Sequence, residues 1–243
     1  MSETQSTLLA ILVLVVLGAM FVHFGTEAKK SVDEIEATCK RNGWRFALDK
    51  QFLHSTITIQ PERGTGWSLV YFVRPGTVGN NSGSRAYLEY RSLTPNWTRG
   101  RVVVTGLQSG SLTSMAATQG IGGMTGQFKG MVARTALELQ LGSANLVDFH
   151  NLRPVAVAPP LRLTVLASDP PQGLDLAALD AAINRWSSRP RPMNGQSPLP
   201  GAIIGPGGFL FRLTNSAIEA RDIVPFLECA KDLSLRLSEF GRT

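Results

Sequence analysis

The sequence predicts an α+β fold, in which an N-terminal single transmembrane helix precedes a mixed or antiparallel sheet domain with helices packed on it. The prediction rests on an uncharged apolar run near the N terminus, on a series of short strand patterns, and on a C-terminal part that reads strand–helix–strand–helix. Of the 243 residues, 43% are hydrophobic and 17% are charged. This composition excludes a chain that is disordered throughout.

The apolar run extends from Leu8 to Val22 and contains no charged residue. A helix over residues 7–25 would span roughly 28 Å, close to the ~30 Å hydrocarbon core of a bilayer. We therefore predict a transmembrane helix over 7–25 after a short tail (1–6). The alternatives are a buried core helix, which would show a polar face, and a cleaved signal peptide, which would carry Lys or Arg before its apolar region.

The basic residues flanking this segment predict its orientation. Lys29 and Lys30 follow the run directly, whereas the N-terminal flank has no Lys or Arg. Because basic flanks stay on the cytoplasmic side, we expect a single-pass protein of the bacterial inner membrane, with the N terminus outside and the domain in the cytoplasm. The alternative is a periplasmic or other extracytoplasmic domain. The residues predicted to contact lipid or a partner subunit are Leu8, Leu12, Val15, Phe21, Phe24, Lys29 and Lys30.

A juxtamembrane helix is predicted over residues 26–43. Ser31 and Glu34 have the spacing of a capping box, and Asn42-Gly43 is typical of a helix end. The remaining residues, 44–243, are predicted to form one α+β domain.

The first part of this domain is predicted to be an antiparallel meander over residues 55–105, because strand patterns alternate there with turn residues. The predicted strands are Ser55–Gln60, Trp67–Arg74, Arg85–Arg91 and Arg101–Thr105. The second of them is almost wholly apolar, which predicts a central position in the sheet.

A glycine-rich segment over residues 106–142 follows. Its apolar residues have a helical period, but glycine disfavours a helix by roughly 1 kcal/mol per residue, so both a closely packed helix and a mobile loop fit the pattern. The candidate cofactor-binding residues are Gly120, Gly122, Gly126 and Gly130. Their spacing differs from the dinucleotide fingerprint, and no Lys-Ser or Lys-Thr follows as in a phosphate-binding loop.

The last part, residues 161–241, is predicted to be α/β. The predicted elements are a strand Leu161–Ala167, a helix Leu174–Trp186, a loop over 187–207 with a short Ile203–Ile204 strand, a strand Phe209–Leu213 and a helix Asp222–Phe240. The last helix has the clearest apolar stripe and ends before Gly241.

Catalytic and metal-binding motifs are absent from the sequence. It contains no C-x-x-C, no H-E-x-x-H and no G-x-S-x-G. Asp148 and His150 are an isolated pair, and Cys39 and Cys229 lie on or beside apolar helix faces, where a buried thiol is the ordinary interpretation. We therefore expect no catalytic residue, no metal and no cofactor.

The net charge of +6 comes mainly from scattered arginines. No nucleic-acid-binding motif accompanies them, so no nucleic-acid partner is expected. The sequence predicts a single-pass, membrane-anchored, non-enzymatic interaction or scaffold protein. Its partners would be the lipid bilayer and other membrane protein subunits, with the chain acting as an accessory or stabilising subunit of a larger respiratory or photosynthetic membrane complex. The alternative is a membrane-tethered ligand-binding or enzymatic domain that uses residues 120–130.

Overall fold

A single nine-stranded antiparallel sheet dominates the structure. The computed structural model describes residues 29–51, 54–64, 66–74, 85–94, 97, 100–106, 137–138, 140–142, 145, 151–189, 198–216 and 218–240. The strands are β1 (Trp44–Gln51), β2 (His54–Pro61), β3 (Trp67–Arg74), β4 (Arg85–Ser92), β5 (Val102–Thr105), β6 (Arg153–Val155), β7 (Thr164–Ala167), β8 (Leu199–Gly205) and β9 (Gly208–Thr214). Their spatial order is β1-β2-β3-β4-β9-β8-β5-β7-β6.

The sheet joins two groups of strands along the β4–β9 pair. Strands β1 to β4 follow one another in sequence and in space, as short connections favour. Strand β9 then lies beside β4, with Leu88 opposite Leu213 and Glu89 opposite Arg212. The middle of the sheet therefore depends on residues that are far apart in the chain.

Helices cover one face of the sheet. Residues 29–41 are helical and are called α1; the others are α2 (Leu176–Ser188) and α3 (Ala220–Phe240). Helix α2 begins after Asp175, whose carboxylate accepts a hydrogen bond from the Ala178 N–H at 2.9 Å, as an N-cap residue should. The apolar stripes of the helices pack on alternate strand residues in one core.

Aromatic rings run through this core in an unbroken series of contacts. Neighbouring ring centroids lie 5.0–6.4 Å apart, the range in which aromatic pairs attract each other. In order across the sheet and onto the helices, the rings are Trp44, Trp67, Tyr90, Phe209, Phe211, Phe226 and Trp186. The series joins the strand groups on either side of the β4–β9 pair.

A smaller apolar cluster lies on the opposite face of the sheet. Leu137 and Leu141, from a short helical stretch, pack there on Val103, Ile203 and Leu210. This cluster covers the part of that face formed by β5, β8 and β9.

Most predicted elements are present with small shifts of their ends. The strands predicted around residues 55, 67, 85, 101, 161 and 209 are β2, β3, β4, β5, β7 and β9, and the predicted helices at 174 and 222 are α2 and α3. The predicted helix end at Asn42-Gly43 is also confirmed, because Gly43 has a φ of +65° that suits glycine. Helix α3 begins earlier than predicted, where the Asp222 carboxylate accepts from the Glu219 N–H at 3.3 Å.

Of the predicted mixed or antiparallel sheet, the structure has the antiparallel form, and the predictions of a mixed sheet and of a separate α/β part are wrong. All neighbouring strands that the structure describes are antiparallel, and β7 and β8 lie on either side of β5 rather than forming a parallel unit. Strand β5 is not the fourth strand of the predicted meander, since β9 occupies the place beside β4. Strands β1 and β6 were not predicted. The short strand predicted at Ile203–Ile204 is part of the longer strand β8, which takes up most of the described part of the loop predicted over 187–207.

The described residues give no support to the predicted single-pass architecture. Among the helices that the structure describes, none is both long enough and apolar enough to cross a membrane; the longest, α3, carries charged residues along its length. The inner-membrane location and its extracytoplasmic alternative therefore lose their support. The predicted span itself, residues 7–25, lies outside the described residues, together with the contacts predicted for Leu8, Leu12, Val15, Phe21 and Phe24.

Candidate functional site

The outer face of β1–β4, on the side opposite the helices, is the most distinctive surface of the described chain. We call it the free sheet face, because no described helix or strand packs on it except beside β4, where Asn145 contacts Glu89 and Arg91. Its central residues are Ala47, Thr56, Thr58, Val70, Phe72 and Tyr87, all of them half-buried or exposed. Strand alternation explains the set, because the residues between them point into the helix-covered core.

Rings and a cation form a row across this face. The ring centroids of His54 and Phe72 are 5.3 Å apart, and those of Phe72 and Tyr87 are 4.9 Å apart with nearly parallel planes. The Arg212 guanidinium carbon lies 3.6 Å from the centroid of the Tyr87 ring. We call these four side chains the ring row.

Strand register explains why the row forms. Phe72 lies directly opposite Tyr87 in the β3–β4 pair, and directly opposed aromatic side chains attract by about 0.2–1 kcal/mol relative to alanine. A cation over an aromatic face adds roughly 0.5–2 kcal/mol, more when it is shielded from water. The rings are therefore held in fixed orientations by residues on four adjacent strands.

A buried carboxylate anchors the end of the row. Glu89 is 4% exposed, and its Oε2 accepts from Arg212 Nη1 at 3.0 Å and from Asn145 Nδ2 at 3.3 Å. Its Oε1 accepts from Arg91 Nε at 2.6 Å. Arg91 Nη2 also donates to Asn145 Oδ1 at 2.9 Å. Both oxygens of Glu89 are thus occupied, and we call these four residues the carboxylate cluster.

Burial changes the ionisation of the groups in this region. It lowers the pKa of Arg212, and the neighbouring Glu89 carboxylate opposes that shift by stabilising the cation. Burial also raises the pKa of Tyr87, against the effect of the Arg212 charge. The Glu89 carboxylate therefore favours the guanidinium cation of Arg212, and burial favours the neutral phenol of Tyr87.

Arginines surround the free sheet face. Arg45, Arg74 and Arg91 are exposed and belong to the outward-facing positions of β1, β3 and β4. Asp49 is an exposed carboxylate on the same side of β1. Cations thus outnumber exposed carboxylates on the described part of this face.

The residues proposed from sequence do not coincide with this surface. Gly120, Gly122, Gly126 and Gly130 lie outside the described residues. Lys29 and Lys30 lie exposed at the start of the described part of α1. No cluster of three or more His, Cys, Asp or Glu side chains suited to a metal occurs within the ranges that the structure describes.

Both described cysteines are free thiols, Cys39 buried and Cys229 half-buried. Cys39 lies on the buried face of α1, and burial raises the pKa of its thiol to about 11, with a smaller effect from the charge of Glu36. Burial also raises the pKa of the Cys229 thiol. Because the thiolate is the reactive form, neither cysteine is set up as a nucleophile.

Sequence reasoning missed the free sheet face for an identifiable reason. The segment Trp67–Arg74 looked central because it is nearly all apolar, yet Val70 and Phe72 are half-exposed on the outward side. The alternation of Tyr87, Glu89 and Arg91 in the sequence indicates the residues of β4 that point outward. Together with the β3–β4 register, this alternation places the rings of Phe72 and Tyr87 side by side.

Known proteins give no guide to the role of this surface. Comparisons of the chain with protein-family models, with curated proteins and with solved structures find no match.

Proposed function

We propose that this chain is a non-enzymatic interaction protein, an accessory component of a larger protein complex, whose free sheet face binds a segment of a partner protein. The observation that carries the proposal is the ring row of His54, Phe72, Tyr87 and Arg212. Aromatic and arginine side chains dominate the energetics of protein interfaces. Here the three rings lie half-exposed on the sheet, and Arg212 is buried beside them.

The geometry of the row favours an apolar contact. The rings are already held against one another, so a partner would not have to order them on binding, and lost side-chain freedom is a main cost of association. Val70 and the methyl groups of Thr56 and Thr58 extend the apolar area next to the rings. A partner segment with several apolar side chains fits this strip.

The surrounding charge favours an acidic partner. Arg45, Arg74 and Arg91 are exposed around the strip, with only Asp49 as an exposed carboxylate on the described part of the face. Complementary charge speeds association and excludes partners of the wrong sign. We therefore assign the partner segment a composition of apolar residues flanked by Asp or Glu.

The same geometry disfavours single-stranded nucleic acid. Sequence-tolerant binding of bases uses aromatic faces that are free to stack. In the ring row, Phe72 presents one face to His54 and the other to Tyr87, whose second face is covered by Arg212. Mainly ring edges remain, and these suit aliphatic side chains better than bases.

Selection from a random 16-residue peptide library displayed on phage tests the proposal. We expect the enriched peptides to combine apolar residues with Asp or Glu. Synthetic versions should bind the Phe72→Ala variant at least about ten-fold more weakly, because a truncated interface anchor typically costs more than ~1.4 kcal/mol. Fluorescence anisotropy with labelled peptides measures the change.

Leu235→Ala is the matched control. Leu235 is a large apolar residue with 62% exposure, but it lies on α3, on the helix-covered side. It should leave peptide binding unchanged. Peptides that bind both variants equally well, or a library that yields no enrichment, would overturn the proposal. Phe72-dependent binding of a labelled oligo(dT) would replace it with a nucleic-acid function.

A further inference from the structure

The two edges of the sheet are protected very differently. Strand β6, at one edge, has three residues and contains Pro154, and short edge strands with proline resist pairing with other chains. Strand β1, at the other edge, has eight residues and no proline. No described strand pairs with its outer side. Strand β1 is therefore the edge at which another strand could add.

The β1–β2 register shows which backbone groups of β1 point outward. Trp44 lies opposite Pro61, and proline has no N–H, so this pair cannot exchange both hydrogen bonds. Hydrogen-bonded pairs alternate along an antiparallel ladder, so Arg45, Ala47 and Asp49 bond to β2. Trp44, Phe46, Leu48 and Lys50 consequently present their N–H and C=O groups to the outside.

We propose that β1 pairs antiparallel with β1 of a second copy of this chain, about a two-fold axis through Ala47. In this register Arg45 lies opposite Asp49 of the second copy, and Asp49 lies opposite its Arg45, on the side of the free sheet face. On the helix side Phe46 lies opposite Leu48, and Trp44 opposite Lys50. The outward-pointing residues all fall in hydrogen-bonded pairs, as the backbone requires.

The charged residues of β1 favour this register over the two registers in which the two-fold axis is moved by one residue. Moving the axis by one residue to Phe46 places Arg45 opposite Ala47, and moving it to Leu48 places Asp49 opposite Ala47. Both shifts break both ion pairs. Directly opposed opposite charges stabilise a strand pair, whereas like charges destabilise it. An isologous interface of this kind contains each favourable contact twice.

The exposed groups are available for these contacts. Arg45 and Asp49 are exposed, and neither forms an ion pair within the described part of the chain. Asp49 accepts one hydrogen bond, from Gln51 Nε2 at 3.2 Å. Phe46 and Leu48 are only partly buried against the core, so a second copy would remove further apolar surface from water.

Charge reversal with rescue tests this register in the full-length chain by sedimentation equilibrium. Arg45→Asp places Asp opposite Asp twice and should raise the dimer dissociation constant roughly ten-fold or more; Asp49→Arg should do the same. The double variant Arg45→Asp/Asp49→Arg restores opposite charges and should return the constant close to the native value. Association through the apolar run near Leu8 would not respond to these changes.

A disulfide cross-link tests the position of the axis. Paired residues that are not hydrogen-bonded have Cα atoms about 4.5 Å apart, within the range that a disulfide bridges. Mild oxidation of Ala47→Cys should therefore give a covalent dimer. Thr58→Cys, on the neighbouring strand opposite Ala47, should not, because its equivalents would be separated by three strand spacings, roughly 14 Å.

Three outcomes would overturn the proposal. A native chain that stays monomeric at 0.5 mM has no such interface. A dimer that is insensitive to both single reversals, or that the double variant does not restore, uses another surface. Equal cross-linking of Ala47→Cys and Thr58→Cys would place the axis elsewhere.

Discussion

At the scale of single residues, the buried Glu89–Arg212 pair holds the ring row in place. Replacing Glu89 with Gln removes the charge that neutralises Arg212, which has a side-chain exposure of 10%. Leaving a buried cation unpaired typically costs about 3–5 kcal/mol. We expect Glu89→Gln to lower the free energy of unfolding by this amount, measured by urea denaturation.

Arg91→Gln is the control for this prediction. Arg91 also pairs with Glu89, but its side chain is 52% exposed, and exposed ion pairs contribute about 0–1 kcal/mol. The double variant Glu89→Gln/Arg212→Met should recover most of the lost stability, because no buried charge then remains. Equal losses for Glu89→Gln and Arg91→Gln would contradict the assigned role of burial.

The Cys39 thiol predicts an alkaline loss of stability. Its pKa is about 11 in the folded chain, against 9.0 for a free thiol. As the pH rises, the Cys39 thiol ionises at a lower pH in the unfolded chain than in the folded chain. Its contribution to the free energy of unfolding is therefore complete below pH 9 and is lost as the pH rises to about 11. A two-unit difference corresponds to roughly 2.7 kcal/mol.

Thermal or urea unfolding of Cys39→Ala across this pH range checks the effect. Between pH 8.5 and 11, the free energy of unfolding of the variant should fall by about 2 kcal/mol less than that of the native chain. Burial also raises the pKa values of Tyr71, Tyr87 and Tyr90, but both proteins share that contribution. Parallel stability curves for the two proteins would refute the prediction.

At the scale of elements, the β8–β9 turn is fixed by one glycine. Gly208 has a φ of +99°, and a Cβ there would lie 2.1 Å from the Ser92 carbonyl oxygen and 2.8 Å from Leu93 Cα. These backbone atoms, at the end of β4 and just after it, cannot move aside as a flexible side chain can. Gly208→Ala should therefore cost about 3 kcal/mol or more in unfolding free energy.

The neighbouring glycine is a matched control. A Cβ on Gly207 would meet nothing within 4 Å, and its φ does not lie in the positive region. Gly207→Ala should change stability by less than about 1 kcal/mol, in either direction. If both variants unfold at the same urea concentration, the β4 backbone is not the constraint.

Local sequence pattern was enough to predict the elements whose own residues favour one type of secondary structure. Strands β2 and β4 have alternating patterns, β3 is almost wholly apolar, and helix α3 has a helical apolar stripe; the structure confirms these four elements. The sequence pattern predicted only the Ile203–Ile204 part of strand β8, since Pro200, Gly201 and Gly205 disfavour a strand locally. Its position depends on packing: a Cβ on Gly201 would lie 2.7 Å from Leu141 Cδ2.

The fold class and the free sheet face needed information beyond local pattern. Which strand lies beside β4 depends on contacts between distant residues, and nothing in the Arg85–Arg91 pattern specifies β9 as the neighbour. The ring row likewise requires the registers of β2, β3, β4 and β9 together. The sequence contains its residue types, but their adjacency arises only when the sheet is assembled.

At the scale of the whole molecule, the core predicts cooperative unfolding. The ring series crosses the β4–β9 pair and reaches α2 and α3, so the main core is shared by both groups of strands. Tryptophan fluorescence and far-ultraviolet circular dichroism should give coincident urea transitions. Phe226→Ala truncates a fully buried ring. It should lower the free energy of unfolding obtained from each probe by about 3–5 kcal/mol.

Distinct transitions from the two probes would instead divide the sheet into independent units. A matched comparison is Leu235→Ala on the exposed side of α3. It should leave the midpoint within about 0.5 kcal/mol of the native value.

The distribution of tryptophans gives the protein a built-in optical reporter. Trp97 and Trp186 are fully enclosed, whereas Trp44 and Trp67 are half-buried and lie close to the β1 edge. Their rings meet edge to face 5.8 Å apart, with the Lys231 ammonium 4.3 Å from the centroid of Trp67. A water-soluble quencher should therefore reach one pair of indoles and spare the other. Any event at the β1 edge should become visible as a change in the emission of the accessible pair, without an added label.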